Sequence, residues 1–301
     1  MEKRGKPFFA LPEDRATAAA MSPRVLQTIA ALREYVQAKK SAGLKIALVP
    51  TMGALHEGHL ELARQGRKKA DIVIVTIFVN PTQFGPAEDF SAYPRTWDSD
   101  LEKLTSIGAH AVFHPSALEM YPQGFATTVS VRGVTETLEG IIRPGHFDGV
   151  ATVVSKLLLQ AQPDVALFGE KDFQQLAVIR QLVADLDIPV EIAGVPIVRD
   201  ENGLALSSRN AYLSREQYAI AITLNKTLFK MVREIHQGKS FAEAQSRGKN
   251  ELAAAGFDAV DYLEVRDART LRPVADKTDA PLRLLAAVRL GKTRLIDNIA
   301  V

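Results

Sequence analysis

Hydrophobic positions along the chain change their period several times. Val25, Leu26, Ile29, Leu32 and Val36 recur at helical spacing, with Ser22-Pro23 as a start signal and Gly43 as a stop. This predicts a first amphipathic helix between them. The apolar run Lys45 to Pro50 then breaks at Thr51-Met52-Gly53, and helical spacing resumes at His59, Leu60, Leu62 and Ala63. The expectation is strand, loop, helix. Ile72 to Val79 is β-branched and apolar on both alternations, as a parallel strand covered by helices on both faces requires. A βαβ unit opens the fold.

The rhythm continues with a helix near 96–107, strands at Ala111 to His114 and Thr127 to Val131, and a helix from about Asp148 to Gln160. A strand at Val165 to Phe168, a helix near 172–186 and a strand at Val190 to Val198 follow. Such alternation predicts an α/β fold with a doubly wound, Rossmann-like parallel sheet. Beyond Asn210 the pattern changes. Helices near 214–237 and 240–255 precede strands at Val260 to Val265, Leu282 to Leu290 and Thr293 to Ile299, with Gly291-Lys292 as a hairpin turn. The expected organisation is an N-terminal extension over 1–21, a Rossmann-like domain over 22–205 and a smaller C-terminal α+β lid domain over 206–301.

Composition narrows the function classes. The 37 Lys+Arg against 35 Asp+Glu leave a net charge of +2, too little basic excess for a nucleic-acid track. No segment approaches the roughly 18 apolar residues of a membrane helix. The absence of cysteine removes thiolate metal sites and any Cys-nucleophile mechanism. The basic start of the chain is soon followed by Glu13, Asp14 and Arg15, unlike a signal or transit peptide, so a cytoplasmic location is expected.

Three loops carry candidate chemistry. Thr51 to His59 lies between a strand end and a helix start, where the exposed N–H groups and the helix dipole favour phosphate. Gly53 and Gly58 have Walker A spacing, but His59-Leu60 replaces Lys-Ser/Thr, and His56-Glu57-Gly58-His59 has the wrong spacing for a zincin. Two histidines that merely cap a helix are the plainer alternative. Leu167 to Asp172 ends another apolar strand and places Lys171 where a flexible cation reaches phosphate, unless it is an ordinary charged turn. Gly203 to Asn210 offers two hydroxyls and a guanidinium to a pyrophosphate group, and is also a polar linker.

Asn80 to Gly85 and Phe173 to Gln175 are polar but uncharged, suited to a small hydroxy acid. Gln174 reads as a surface residue, Gln83 and Gln175 as ligand groups. Arg143 to Asp148 is either an anion-facing flap or a helix start. The Gly291-Lys292-Thr293 tripeptide only imitates a Walker fragment, since a strand follows it.

Several ordered segments together resemble one family: PTMGALHEGH at 50–59, FVNPTQF at 78–84, YPRT at 93–96, RPGHFDGV at 143–150, FGEKD with FQQL at 168–176, LSSRN at 206–210 and the terminal TRLIDNIAV. They are similar to pantothenate synthetases (pantoate:β-alanine ligases), within the nucleotidyltransferase and class I aminoacyl-tRNA synthetase-like superfamily. The resemblance implies ATP and Mg2+, pantoate and β-alanine as small-molecule ligands, and a homodimer.

It implies ATP contacts from Met52, Gly53, Ala54, Leu55, His56, Glu57, Gly58 and His59. Further ATP contacts are implied from Gly169, Glu170, Lys171 and Asp172, from Val198 through its backbone, and from Leu206, Ser207, Ser208 and Arg209. Gln83 and Gln175 would hold pantoate, Gln83 also β-alanine, and His59 would donate a proton. His56, Lys171, Ser207, Ser208 and Arg209 would share in the catalysis. Leu206 stands where many members carry Met, a near-isosteric exchange. Protein ligands to Mg2+ stay open, with Asp89, Asp98, Asp100 and Asp172 as candidates. A nucleotidyltransferase that leaves the nucleotide on its product and a non-catalytic ATP sensor are the rival readings.

Overall fold

The computed structural model describes residues 22–86 and 88–301; the expected N-terminal extension over 1–21 lies outside them. Strands β1 (Arg24–Leu26), β2 (Ile46–Thr51), β3 (Ile72–Ile77), β4 (Ala111–Phe113), β5 (Val165–Gly169) and β6 (Glu191–Val195) form one parallel sheet in the order β1-β4-β3-β2-β5-β6. Helices α1 (Ile29–Ser41), α2 (Glu57–Lys69), α3 (Trp97–Ser106), α4 (Ala117–Met120), α5 (Glu139–Ile142), α6 (His146–Ala161) and α7 (Phe173–Asp185) surround it.

Strand periodicity divides the core. Ile46, Leu48, Ile72 and Ile74 pack with α1, α6 and α7, while Ala47, Val49, Val73 and Val75 pack with α2 and α3. Both faces are therefore covered, which is why β3 is buried along its whole length. Helices α8 (Arg215–His236) and α9 (Phe241–Ala255) pack on an antiparallel sheet of β7 (Ala259–Asp267), β8 (Leu282–Leu290) and β9 (Thr293–Ala300) around a second hydrophobic cluster. Gly291, at φ 58°, makes the turn between β8 and β9. No helix among the described residues is long and apolar enough to cross a membrane.

Two expectations fail. Ser22-Pro23 does not start a helix, because Arg24–Leu26 pairs in parallel with Ala111–Phe113 as an edge strand. The helix begins only at Ile29, where the Thr28 hydroxyl accepts from the Ala31 amide at 3.1 Å. Thr127 to Val131 forms no strand either. Its apolar side chains pack on the core, and the Val129 amide donates to Thr152 of α6 at 2.9 Å instead of to a neighbouring strand. Boundaries shift elsewhere: α6 starts at His146 and β6 stops at Val195.

Candidate functional site

Strand order reverses at β2, which has β3 on one side and β5 on the other, and ligands bind in the crevice such a switch opens. The crevice has a local cause. β2 pairs with β3 along its length but with β5 only at Ala47 and Leu48, so the two strands part beyond Leu48. Pro50, which lacks an N–H, lies opposite Thr76 of β3 but beyond the pairing with β5, so no bond of the β2–β5 ladder is lost. Between the diverging ends lies an inner cavity of about 230 Å3 lined by Pro50, Thr51, Phe168 and Gly169 among others.

The loop after β2 delivers two imidazoles to this cavity. His56 caps α2, its Nδ1 accepting from the Gly58 amide at 3.1 Å, and His59 Nδ1 accepts from the His56 amide at 3.4 Å. With each Nδ1 used as an acceptor, each neutral ring carries its proton on Nε2. The rings lie 4.1 Å apart between centroids. Gly58 is needed for this arrangement, since a Cβ there would approach the His56 ring to 2.9 Å. Burial first, then nearby Lys171, lowers the His56 pKa to about 4; burial, His56 and Lys171 hold His59 well below its ordinary value. Both are thus neutral Nε2–H donors near pH 7.

Asp100 fixes the loop from behind. Its buried carboxylate accepts from the amides of Ala54 at 2.9 Å and Leu55 at 2.7 Å and from the Thr96 hydroxyl at 3.1 Å, while Lys103 donates to the Leu55 carbonyl at 2.7 Å. Ala54 sits at φ 49°, a left-handed conformation that costs an L-residue on the order of 1 kcal/mol. Asp100 is accordingly a loop anchor and not an open metal ligand.

A second group of bonds sets Gln83. Asn80, 1% exposed, donates to Gln83 Oε1 at 3.0 Å and to the Gly149 carbonyl at 3.1 Å, and accepts from the Tyr121 hydroxyl at 2.7 Å. Gln83 Oε1 is occupied, and its Nε2 donates to Met52 Sδ at 3.2 Å in the cavity wall. A Cβ on Gly149 would collide with the Thr82 carbonyl, so this glycine lets α6 seat against the turn. His146 Nδ1 donates to the Gln83 carbonyl at 2.9 Å and its Nε2 accepts from Arg143 at 3.0 Å. Burial and the Arg143 charge lower its pKa to about 4. The Arg143 to Asp148 segment is therefore a helix start that holds Gln83, with Arg143 lining the cavity as well.

Lys171 and Asp172 enter the cavity from the turn after β5, and Val198, Leu206, Ser207, Ser208 and Arg209 from the far side. The Leu206 amide donates to the Val198 carbonyl at 3.0 Å, Ser207 caps the following turn through the Arg209 amide, and Ser208 Oγ lies 3.2 Å from the Tyr93 hydroxyl. Two of the cations are already paired: Arg143 with Glu88 at 2.6 Å and Arg209 with Asp89 at 2.8 Å. Lys171 has no ion pair among the described residues.

Met52, His56, Gly58, His59, Gln83, Gly169 and Gln175 also line the cavity. Gly53, Ala54, Leu55, Glu57 and Glu170 do not. Leu55 is in the core, Glu57 pairs with Arg64, and the Glu170 carboxylate turns to Arg283 at 3.3 Å. Gln174 is 3% exposed and not a surface residue: it donates to the Val134 and Thr137 carbonyls and accepts from the Glu139 amide, bracing the 134–139 segment. The inner cavity shares Arg143, His146, Lys171, Asp172, Gln175, Ser207 and Arg209 with an outer cleft of about 1210 Å3 that reaches the C-terminal sheet. These seven shared residues make the two spaces contiguous.

No group of three or more potential metal ligands occurs among the described residues. Asp89 and Asp100 are committed elsewhere, Asp98 is exposed on α3, and Asp172 is the carboxylate that lines the inner cavity. The sequence reading missed Tyr93, Asn80 and His146 as supports, although each lies inside a segment that carries the resemblance.

A family model described as Pantoate-beta-alanine ligase matches residues 24–300. The chain is 58% identical over 277 residues to the pantothenate synthetase of Paramagnetospirillum magneticum, covering 92% of this chain and 97% of that one. It is 54% identical over 282 residues to the pantothenate synthetase of Caulobacter vibrioides, covering 93% and 99%. The crystal structure of the Thermus thermophilus pantothenate synthetase superposes with a TM-score of 0.86 at 47% identity, over 92% of this chain and 98% of that chain. The Francisella tularensis pantoate-beta-alanine ligase, complexed with beta-gamma ATP and beta-alanine, gives a TM-score of 0.76 at 34% identity, over 92% and 97%.

Proposed function

The chain belongs to the pantothenate synthetase (pantoate:β-alanine ligase) family and is an enzyme of ATP-dependent condensation of pantoate with β-alanine, and we propose that it works through a pantoyl adenylate made in the inner cavity. A pantoate carboxylate oxygen attacks the α-phosphorus of ATP, the bond from that phosphorus to the bridging oxygen breaks, and pyrophosphate leaves. The β-alanine amine then attacks the acyl carbon and gives up a proton to water, the bond from the acyl carbon to the bridging oxygen breaks, and AMP departs with that carboxylate oxygen. In-line transfer of this kind asks for positioning and charge neutralisation, with no nucleophile from the protein.

The single observation that supports this reading is the convergence of the His56/His59 loop, Gln83, Lys171 and the Ser207–Arg209 loop on one cavity. His56 and His59 offer neutral Nε2–H groups to phosphate oxygens, so the donor role of His59 is that of a hydrogen-bond donor. Lys171, Ser207, Ser208 and Arg209 take the β- and γ-phosphates, for which phosphate displaces Asp89 from Arg209. Met52, Gly58, Gly169, Asp172 and Leu206, with the Val198 backbone, bound the nucleotide, with Gly53, Ala54, Leu55, Glu57 and Glu170 acting behind it. Gln83 and Gln175 hold pantoate, and Gln83 adjoins β-alanine.

Mg2+ enters with ATP as part of the substrate. Asp172, the carboxylate lining the inner cavity, would be the residue to hold that ion beside the phosphates. When bound it neutralises polyphosphate charge. We also read 22–205 as the nucleotide- and pantoate-binding unit, 206–301 as a smaller lid-like unit, the protein as a homodimer, and its compartment as the cytoplasm. Exposed Leu118, Phe125 and Leu159 are apolar groups that an interface would cover.

The adenylate route is tested by ATP–pyrophosphate exchange. Pantoate-dependent exchange in the absence of β-alanine is expected; exchange that needs β-alanine would contradict a two-step route.

A further inference from the structure

We infer that Asn298, on the last strand of the C-terminal sheet, is a positioning residue for Lys171. Its side chain is 2% exposed and fully used. Nδ2 donates to the carbonyls of both Glu170 and Lys171 at 2.9 Å, and Oδ1 accepts from Arg283 Nε at 2.7 Å. Because arginine only donates, the Arg283 contact fixes which end of the amide faces the loop.

The loop so gripped is the 3-10 turn Glu170–Asp172 between β5 and α7. Arg283 adds a second hold, pairing with the Glu170 carboxylate at 3.3 Å and lying 4.5 Å from the Phe173 ring centroid. A lysine has a flexible four-carbon stem and a point charge, so its backbone origin decides where the ammonium can rest. Arg283 lines neither space, and Asn298 borders the outer cleft but not the inner cavity, with both of its amide donors spent on the turn. Their influence on phosphate therefore passes through Lys171, and the inference rests on the phosphate-binding reading of that residue.

The test is a double-mutant cycle on pantoate-dependent ATP–pyrophosphate exchange, with thermal melting to establish that each variant is folded. Asn298→Ala is expected to lower the maximal exchange rate roughly tenfold, the scale of one or two lost hydrogen bonds, with the pantoate KM within about twofold of the parent. In a Lys171→Ala background the same substitution should change the rate less than about twofold, because the ammonium whose placement Asn298 governs is gone while the carbonyls it holds remain. Asn298→Asp keeps the side-chain size and the acceptor for Arg283 but lacks the donors. Its carboxylate would face the two carbonyl oxygens, so this variant should lose at least as much rate as Asn298→Ala, and it carries the test if the alanine variant does not fold. Full additivity with Lys171→Ala, or an unchanged rate in Asn298→Asp, overturns the inference alone. A parental rate in Lys171→Ala itself overturns the reading of Lys171 and the inference with it.

Discussion

The parallel sheet and the C-terminal antiparallel sheet use polar residues in opposite ways. In the first, β3 is buried along its length, and the chemistry-bearing groups sit in loops beyond the strand ends: His56 and His59 after β2, Gln83 after β3, Lys171 after β5. In the second, polar groups come from the strands themselves. Arg283 of β8 and Arg294, Asp297 and Asn298 of β9 reach outward to Glu170, Glu139, Arg199 and the Lys171 turn. Among the described residues, none beyond Arg209 lines the inner cavity. One sheet presents groups to the inner cavity, and the other borders the outer cleft and holds the segments that present them. A group that must meet a ligand needs an open strand end, whereas a brace is most effective when buried with all its hydrogen bonds satisfied.

This contrast predicts a graded series of effects. His59→Ala and Lys171→Ala should each slow adenylate formation on the order of 100-fold or more, as loss of a transition-state donor does. Single-turnover rates measure this, and a parental rate in both would remove the presenting role of the first sheet.

Asp100→Ala tests a brace within that sheet. It leaves the Ala54 and Leu55 amides without their acceptor, so a rate loss on the order of tenfold and a stability loss of about 2 kcal/mol are expected by kinetics and denaturant unfolding. Gln83→Ala should raise the pantoate KM roughly tenfold while the ATP KM stays within about twofold, since one neutral donor is lost. Steady-state titration of each substrate separates the two, and the reverse pattern would place Gln83 on the nucleotide.

The smallest effect concerns His146. Its folded pKa of about 4 lies below the ordinary histidine value of about 6.5, so between these limits the unfolded chain binds more protons. Its contribution to stability is complete above pH 6.5 and is lost as pH falls through about 4. His146→Asn should flatten the decline of folding free energy over that window. An equally steep decline in the variant would assign the acid sensitivity to other groups, such as His56.

Much of this was legible in the chain because periodicity and loop chemistry are local. Ile72 to Val79 announced a doubly covered strand, and the motifs at 50–59, 168–172 and 206–210 do meet at one cavity. What was not legible depends on partners distant in sequence. Arg24–Leu26 shows helical spacing but is claimed as a strand by β4, 87 residues on at the Arg24↔Ala111 pair. Gln174 reads as a surface amide until the 134–139 segment folds over it, and Asp100 reads as a metal candidate until the Ala54 and Leu55 amides turn toward it. The role of Asn298 requires a strand from the far end of the chain to lie against the β5 turn. Each miss is a buried polar contact or a distant pairing, which no period of hydrophobicity records.

The central claim is that pantoate oxygen attacks the α-phosphorus in the inner cavity. It is tested most directly with pantoate labelled with oxygen-18 in its carboxylate, followed by mass analysis of the products after β-alanine is added. One labelled oxygen should appear in AMP for each turnover, with none in pyrophosphate. Unlabelled AMP, or label in the phosphate leaving group, would contradict the account.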